Sequence, residues 1–487
     1  MLKMDTRSLR TLQITTALTY CLFSVGICFG FAALKPVLIA SHVYESRCEG
    51  TPTTPTVWKE DGRQRLGARC VAQELALNEM FTWAAVSTNV SAFPIGLLLD
   101  RVGMRATSLV GTVLMFLGSL GLALARDPGL DVYVPSYTLL ATSGSFLLLS
   151  SFSLAGLVPR KSGLIVSGMT GAFDASSGLF LVYRITYQAL GRPSVETFFA
   201  VYLLVPVLIF IVQLWYMPRK TTAEEKVVEE EEGQEQHQQE AVDGAGGRAS
   251  EVDGGEATET TGLLQATDES RMFKGTEQVA DPVDGVMHAA STTGVLTSAW
   301  FLLPALVMVA SLIRVNFFIA TVHAQLIFFI GAAEARSVMD AFDVLLPVGG
   351  LFAIPLIGWI LDTYTTSTVY LLTLLLSAVS GALSFVPNKY AQILHIVTFV
   401  VLRPWIYSIL PGTVTKLFGN ERFGAFYGLI MAIAGLVNLL AHDLEVVTYG
   451  RYHGSFVPVN AGLVGVSVGT LVLTVVYMKY KIARMER

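Results

Sequence analysis

Charge is scarce in this chain. Asp, Glu, Lys and Arg make up 15% of its 487 residues, against about 25% in an ordinary soluble domain. With 53% of residues hydrophobic, and several apolar runs longer than the roughly 20 residues that cross a bilayer, that shortage excludes a soluble protein. No metal-ligand spacing, nucleophile triad or phosphate-binding loop is present, so an enzyme is not expected, and neither is a cofactor or a metal. The basic residues mark topology rather than nucleic-acid binding. No cleavable leader is evident: Met1 to Arg10 is polar and basic, but the apolar run that follows is too long for a signal core. Cysteine is rare too. Cys21 and Cys28 lie in the first apolar run and read as packing residues. Cys48 and Cys70 lie in the loop after it and form a disulfide if that loop faces an oxidising space.

What is present is a series of long apolar segments. Twelve spans are expected, so the fold class is an all-α membrane protein in two six-helix halves. The first six are Leu12–Leu38, Leu75–Leu99, Thr107–Ala125, Val132–Leu157, Leu164–Ala189 and Phe198–Met217. The second six are Ser298–Thr321, Val338–Leu361, Thr368–Val386, Gln392–Leu410, Gly424–Ala441 and Val459–Tyr480. The halves occupy residues 1–217 and 294–487. Residues 218–293 between them are acidic, with a run from Glu229 to Glu232, and poor in large apolar side chains. They read as a disordered linker, either a tether or a regulatory segment. The net charge of −5 belongs mainly to this linker. Lys and Arg concentrate on one side of the spans: Lys3, Arg7, Arg10, Arg101, Arg105, Arg160, Lys161, Lys416 and Arg422, with a basic tail. The positive-inside bias places that side, both termini and the linker in the cytoplasm.

The stretch Ala92 to Leu109, AFPIGLLLDRVGMRATSL, joins the second and third spans. Gly96 lets two helices approach closely. Asp100 can accept the free N–H groups at the start of a neighbouring helix, where the dipole favours negative charge. Gly103 allows a tight reversal, and Arg101 and Arg105 hold the loop in the cytoplasm. This spacing resembles the loop signature of the major facilitator superfamily. A weaker copy, AIPLIGWILD from Ala353 to Asp362, ends the eighth span without the arginines. An echo of one half in the other is expected of transporters built from two parallel halves.

Charges at bilayer depth are costly and usually face the bundle interior. At about 1.5 Å per residue, Asp174 in the fifth span and Arg403 in the tenth lie near the midplane, and Arg314 in the seventh somewhat beyond it. One carboxylate with one or two guanidinium groups suits a zwitterion, because Arg grips a carboxylate bidentately and Asp accepts from an ammonium. The same residues equally suit an internal ion pair that holds the halves together. Ser143, Ser176, Ser177 and Asn316 could add hydrogen bonds to a substrate, although serine in a membrane helix often bonds its own backbone. His442-Asp443-Leu444-Glu445 reads as either a wetted helix end or a pH sensor.

Three stretches look like the large neutral amino acid transporters, the system-L facilitator group, in a fungal-type branch. They are Gly26-Ile-Cys-Phe-Gly-Phe-Ala-Ala-Leu-Lys-Pro-Val-Leu-Ile39, Gly171-Ala-Phe-Asp-Ala-Ser-Ser177, and Leu402-Arg-Pro-Trp405 with Lys416-Leu-Phe-Gly419 and Phe423-Gly-x-x-Tyr-Gly428. The first brings Gly30 to the candidate site. The resemblance implies facilitated diffusion of branched-chain or aromatic amino acids by alternating access. The rivals are a proton-coupled carrier of a monocarboxylate or other small organic solute, and a transporter-like sensor that does not move its ligand. The implied partners are an amino acid and the lipid bilayer, with a monomer expected in the plasma or vacuolar membrane.

Overall fold

The computed structural model describes residues 6–48, 53–60, 63–125, 131–158, 161–189, 191, 193–218 and 281–485. The acidic run of the linker, residues 219–280, and Arg160 of the basic turn lie outside them. In lipid every backbone polar group must be satisfied within the chain, so the apolar runs become helices. The first span is α1 (Thr6–Ser24), a 3-10 turn (Ile27–Gly30) and α2 (Phe31–Ala40). α3 (Val71–Val90) and the start of α4 (Ala92–Ala123) make the second span, and the rest of α4 makes the third. α5 (Tyr133–Phe152) is the fourth span. The fifth is α6 (Ser162–Ser176) with α7 (Leu179–Ala189), and the sixth is α8 (Val195–Tyr202) with α9 (Leu204–Tyr216).

After the short α10 (Thr292–Leu296), the long α11 (Ala299–Thr363) holds the seventh and eighth spans. α12 (Thr366–Ser384) and α13 (Lys389–Phe418) are the ninth and tenth. α14 (Phe423–Val437) with α15 (Leu440–Gly450) is the eleventh, and α16 (Val457–Met485) is the twelfth. Among the described residues, nine stretches are long and apolar enough to cross a membrane alone. The second, eighth and eleventh spans are not in that set. The second begins with the polar α3, and the other two are short apolar helices extended by neighbouring segments.

Two glycines end helices from within. Gly103 (φ 80°) breaks α4 and Gly331 (φ 79°) breaks α11. Both lie in the left-handed region that favours glycine. Gly103 therefore makes the expected reversal. The seventh span does not stop at Thr321 as expected but continues to this break. Its polar residues are paired inside the bundle: Gln325 Nε2 donates to Thr321 Oγ1 at 2.8 Å, and Asn460 Nδ2 donates to Gln325 Oε1 at 2.8 Å.

The polar loop after the first span is also more ordered than expected. β1 (Thr53–Glu60) and β2 (Arg63–Cys70) pair antiparallel, with Thr53 opposite Cys70. Asp61-Gly62 lies between them, a dipeptide favoured in two-residue hairpins. Cys48 is disulfide-bonded, while Cys21 and Cys28 are free and buried. The Cys70 side chain lies outside the described residues, so its pairing with Cys48 stands as a proposal.

The linker boundary needs correction. Residues 281–290 are not a tether but dock on the second half. Asp281 Oδ2 accepts from the Thr366 N–H at 2.9 Å and from the Thr366 hydroxyl at 2.6 Å, and it lies 3.1 Å from Lys416 Nζ. Gly285 and Met287 N–H groups donate to the carbonyls of Lys416 and Leu417, and Arg422 Nη1 donates to the Ala290 carbonyl at 2.6 Å. Val283 is fully buried. Burial pushes the Asp281 carboxyl up, but the Thr366 hydroxyl and the Lys416 charge outweigh it, and the group sits below its usual range. A carboxyl with a depressed folded pKa contributes stability above its unfolded value, near 3.9, and loses it as pH falls through the folded value. The anchor is therefore intact at neutral pH.

Deleting residues 224–280 is expected to leave the unfolding midpoint and uptake near wild type. Extending the deletion through residue 290 removes a charge-assisted bond worth about 1.5–3 kcal/mol and a buried valine worth about as much. Detergent-solubilised protein should then unfold several degrees earlier. Equal midpoints for the two deletions would show that the docked segment carries no stability.

Candidate functional site

The first element of the site is a pair of clasps between the halves. Asp100, near the end of the second span, accepts from the Gly424 N–H at 2.8 Å and the Ala425 N–H at 2.7 Å. Those are first-turn donors of α14, which have no partner inside their own helix. Asp362, at the end of the eighth span, accepts from the Gly163 N–H at 2.7 Å and the Leu164 N–H at 3.0 Å, the first turn of α6. Second span to eleventh and eighth to fifth is one contact made twice, once from each half. The expectation that Asp100 accepts from a helix start is met, and the weaker copy at Asp362 repeats it.

Small residues let these helices meet. A Cβ on Gly96 would run into the Gly424 carbonyl, and one on Gly424 would lie 2.5 Å from Asp100 Oδ1. Gly163 and Gly358 do the same for α6 against the eighth span, each leaving a Cβ only 2.6 Å from Leu361 or Leu164. Arg101 is exposed and Arg105 partly so.

Between the halves lies a cavity of about 330 Å³. The first half contributes Phe29, Phe81, Ser145, Phe173 and Ser177. The second contributes Asn316, Arg403, Tyr407, Tyr427 and Asn438. Its wall is aromatic: the Phe29 and Phe173 rings are 5.3 Å apart, and Phe173 and Tyr407 6.3 Å. Phe152 meets Tyr427 edge-on at 5.7 Å and Phe423 at 6.5 Å. Phe152 and Phe423 also line a second cavity of about 360 Å³ beside Asp362 and Lys416. This ring contact thus separates the central cavity from a vestibule on the Asp100 face.

Arg403 reaches the central cavity from α13, and its Nη2 lies 3.4 Å from Asp174 Oδ1. Asp174 is 3% exposed. The contact is an ion pair without aligned hydrogen-bond geometry, and among the described residues Asp174 Oδ1 has no hydrogen-bond partner. Asn438 Oδ1 in the same cavity is likewise buried and unpartnered. Asp174 and Arg403, from opposite halves, therefore meet as one unit in which Arg403 lines the cavity and Asp174 lies behind it, outside the lining.

The other expected residues divide. Asn316 and Ser177 line the cavity, and the Ser177 hydroxyl donates to the Asp174 carbonyl at 2.6 Å. Ser176 does not line it: its Oγ accepts from the Gly26 N–H at 2.6 Å and donates to the Phe173 carbonyl at 2.7 Å. It satisfies the backbone where the first span breaks. Gly30 is a close-packing position, where a Cβ would strike the Ser177 carbonyl. Ser143 donates to the Leu140 carbonyl at 2.7 Å within α5, while Ser145, two residues on, faces the cavity. Arg314 is not in the cavity: its Nη1 donates to Ser377 Oγ at 2.8 Å inside the second half. Asp443 is exposed within α15. Reasoning from the sequence missed Ser145, Asn438 and the aromatic wall. A lone Asn in an otherwise apolar helix was the available signal for Asn438.

Comparison with known proteins agrees with this architecture. Residues 20–442 match the Major Facilitator Superfamily. The chain is 34% identical to Protein FMP42 of Saccharomyces cerevisiae, over 97% of this chain and 94% of that protein. It is 27% identical to Equilibrative nucleobase transporter 1 of Bos taurus over 38% of this chain and 37% of that one. It is 28% identical to Large neutral amino acids transporter small subunit 3 of Mus musculus over 36% and 31%. Its fold resembles that of the proton:xylose symporter XylE, with a TM-score of 0.59 at 14% identity, covering 97% of this chain and 96% of that one. With two six-helix halves clasped by paired aspartates around a central cavity, and a match across most of its length, the chain belongs to the Major Facilitator Superfamily of membrane transporters.

Proposed function

We propose that this transporter carries large neutral amino acids by facilitated diffusion. The observation that carries the reading is the Asp174–Arg403 pair, a guanidinium that lines the cavity and a buried carboxylate behind it whose Oδ1 faces the guanidinium at 3.4 Å without a hydrogen bond. A zwitterion complements both charges. Its carboxylate takes two parallel hydrogen bonds from Arg403, and its ammonium group takes the place of the guanidinium at Asp174 Oδ1, which holds Arg403 by charge without a hydrogen bond. Net charge in the site is unchanged, so no co-transported ion is required for neutrality. The apolar side chain lies on Phe29, Phe173 and Tyr407, and Asn438 offers a further acceptor. The cavity is at the small end of the roughly 300–1,000 Å³ common for ligand pockets, which suits one amino acid. Passage to the vestibule requires Phe152 to part from Tyr427 and Phe423, and the two aspartate clasps to open as the halves rock.

The large neutral amino acid transporter among the relatives supports this substrate class, and the cytoplasmic direction of the Asp100 face follows from the Lys and Arg distribution. A second reading, a nucleobase, draws on the aromatic wall and on the nucleobase transporter among the relatives. Proteoliposomes holding the purified protein separate the two. Preloaded leucine or phenylalanine is expected to drive uptake of labelled leucine by exchange, with adenine ineffective. Exchange of adenine without exchange of either amino acid would replace the first reading with the second.

A further inference from the structure

Arg314 is a permanent cation in the interior of the second half, apart from the central cavity. Asn316, two residues on, turns to the opposite face of α11. Arg314 Nη1 is satisfied by Ser377, donating to its carbonyl at 3.2 Å and its hydroxyl at 2.8 Å. Among the described residues, no carboxylate lies within ion-pair distance of the guanidinium. An arginine in this position cannot shed its charge.

Beside it is a small cavity of about 20 Å³, lined by Arg314, Gln325, Ser384, His395, Asn460 and Ser467 among others. It shares no lining residue with the central cavity. Roughly 10–15 Å³ of such space holds one water-sized particle, so this one holds a single small occupant. The amide and hydroxyl groups around it are largely engaged: Asn460 bonds Gln325, Gln325 bonds Thr321, and the Ser384 hydroxyl donates to the Gly381 carbonyl. His395 is the exception. It is 3% exposed, its Nδ1 lies 3.3 Å from the Ser380 hydroxyl, and its Nε2 is buried with no partner among the described residues. When Ser380 donates to Nδ1, the ring proton is on Nε2 and is available to the cavity.

We infer that this cavity binds one chloride-sized anion between the Arg314 guanidinium and the His395 Nε2–H. A water molecule would satisfy His395 but leave Arg314 without a counter-charge, whereas a monatomic anion does both. A tetrahedral oxyanion is too large for the space. Ser384 closes α12 and Asn460 lies near the start of α16, so the site is close to the face opposite Asp100. The anion is a fixed part of the second half, independent of what the central cavity carries.

The test is thermal unfolding of the purified full-length protein, with sodium chloride exchanged for sodium gluconate at constant ionic strength and no amino acid present. Chloride should raise the midpoint saturably, by about 2–4 °C at 150 mM. Bromide should reproduce the rise and sulfate should not. His395→Phe keeps the ring packing against Phe318, whose centroid is 4.7 Å away, and should abolish the chloride response. Arg314→Gln should abolish it as well, and if that variant fails to fold, the wild type and His395→Phe decide. An identical wild-type midpoint in chloride and gluconate would overturn the inference. So would a full chloride response in His395→Phe, which would mark a general salt effect.

Discussion

Arg403→Lys is expected to lower leucine uptake roughly ten- to hundredfold at unchanged surface expression. Lysine keeps the charge opposite Asp174 but cannot form the two parallel bonds that a guanidinium offers a carboxylate. A charge-assisted hydrogen bond contributes about 1.5–3 kcal/mol, which is that range in affinity. Arg403→Leu alone strands the Asp174 carboxylate, which is 3% exposed. Breaking a buried pair in this way costs about 3–5 kcal/mol, so this variant should be poorly folded. Arg403→Leu combined with Asp174→Leu removes both charges and should recover folding. If the pair is the substrate site, the folded double variant does not transport. Robust leucine uptake by the double variant would leave the pair as a structural tie between the halves.

Asp100→Asn is expected to open the central cavity toward the Asp100 face. The carboxylate holds two N–H groups of α14 by charge-assisted bonds, each worth about 1.5–3 kcal/mol. An amide oxygen keeps part of the geometry and none of the charge, so the equilibrium between closed and open forms should shift at least about tenfold. Asp362→Asn should act in the same direction through α6, and the double variant further. The readout is the rate at which a Ser145→Cys thiol reacts with an impermeant reagent supplied from the Asp100 face of oriented vesicles. Cys21 and Cys28 are buried and give a low background. An unchanged rate in the double variant would show that neither aspartate holds this face shut.

The architecture was legible because lipid simplifies the code. Long apolar runs must be helices, and a Gly-x-x-x-Asp at the end of a span has few roles. Asp362 was found as the echo of Asp100 even without its arginines, because the helix start it serves is the same. Span ends were harder. Gln325 suggests a loop when read alone, but Asn460 of the twelfth span satisfies it inside the bundle, so the seventh span runs past it. In the linker, Val283-Asp-Gly-Val-Met287 was the overlooked signal, an apolar cluster in a polar run that buries Val283 and orders Asp281.

The site was half legible. Depth along a helix located Asp174 and Arg403 but says nothing of direction around its axis. Residues two apart on a helix point to nearly opposite faces. Arg314 and Asn316 therefore could not both reach one cavity, nor could Ser143 and Ser145. The aromatic wall came from six spans at once, and no local pattern in the chain announces it.

Central to this account is that one buried ion pair reads both charges of an amino acid. Competition against bound labelled L-leucine on the purified wild-type protein tests it most directly. The competitors are L-leucine, its analogue lacking the amino group, its analogue lacking the carboxylate, and adenine. Unlabelled leucine is expected to displace the label, and each single-charge analogue to be weaker by roughly tenfold or more, one charge-assisted bond having been lost. Displacement by the acid analogue as strong as that by leucine, or by adenine alone, would contradict it.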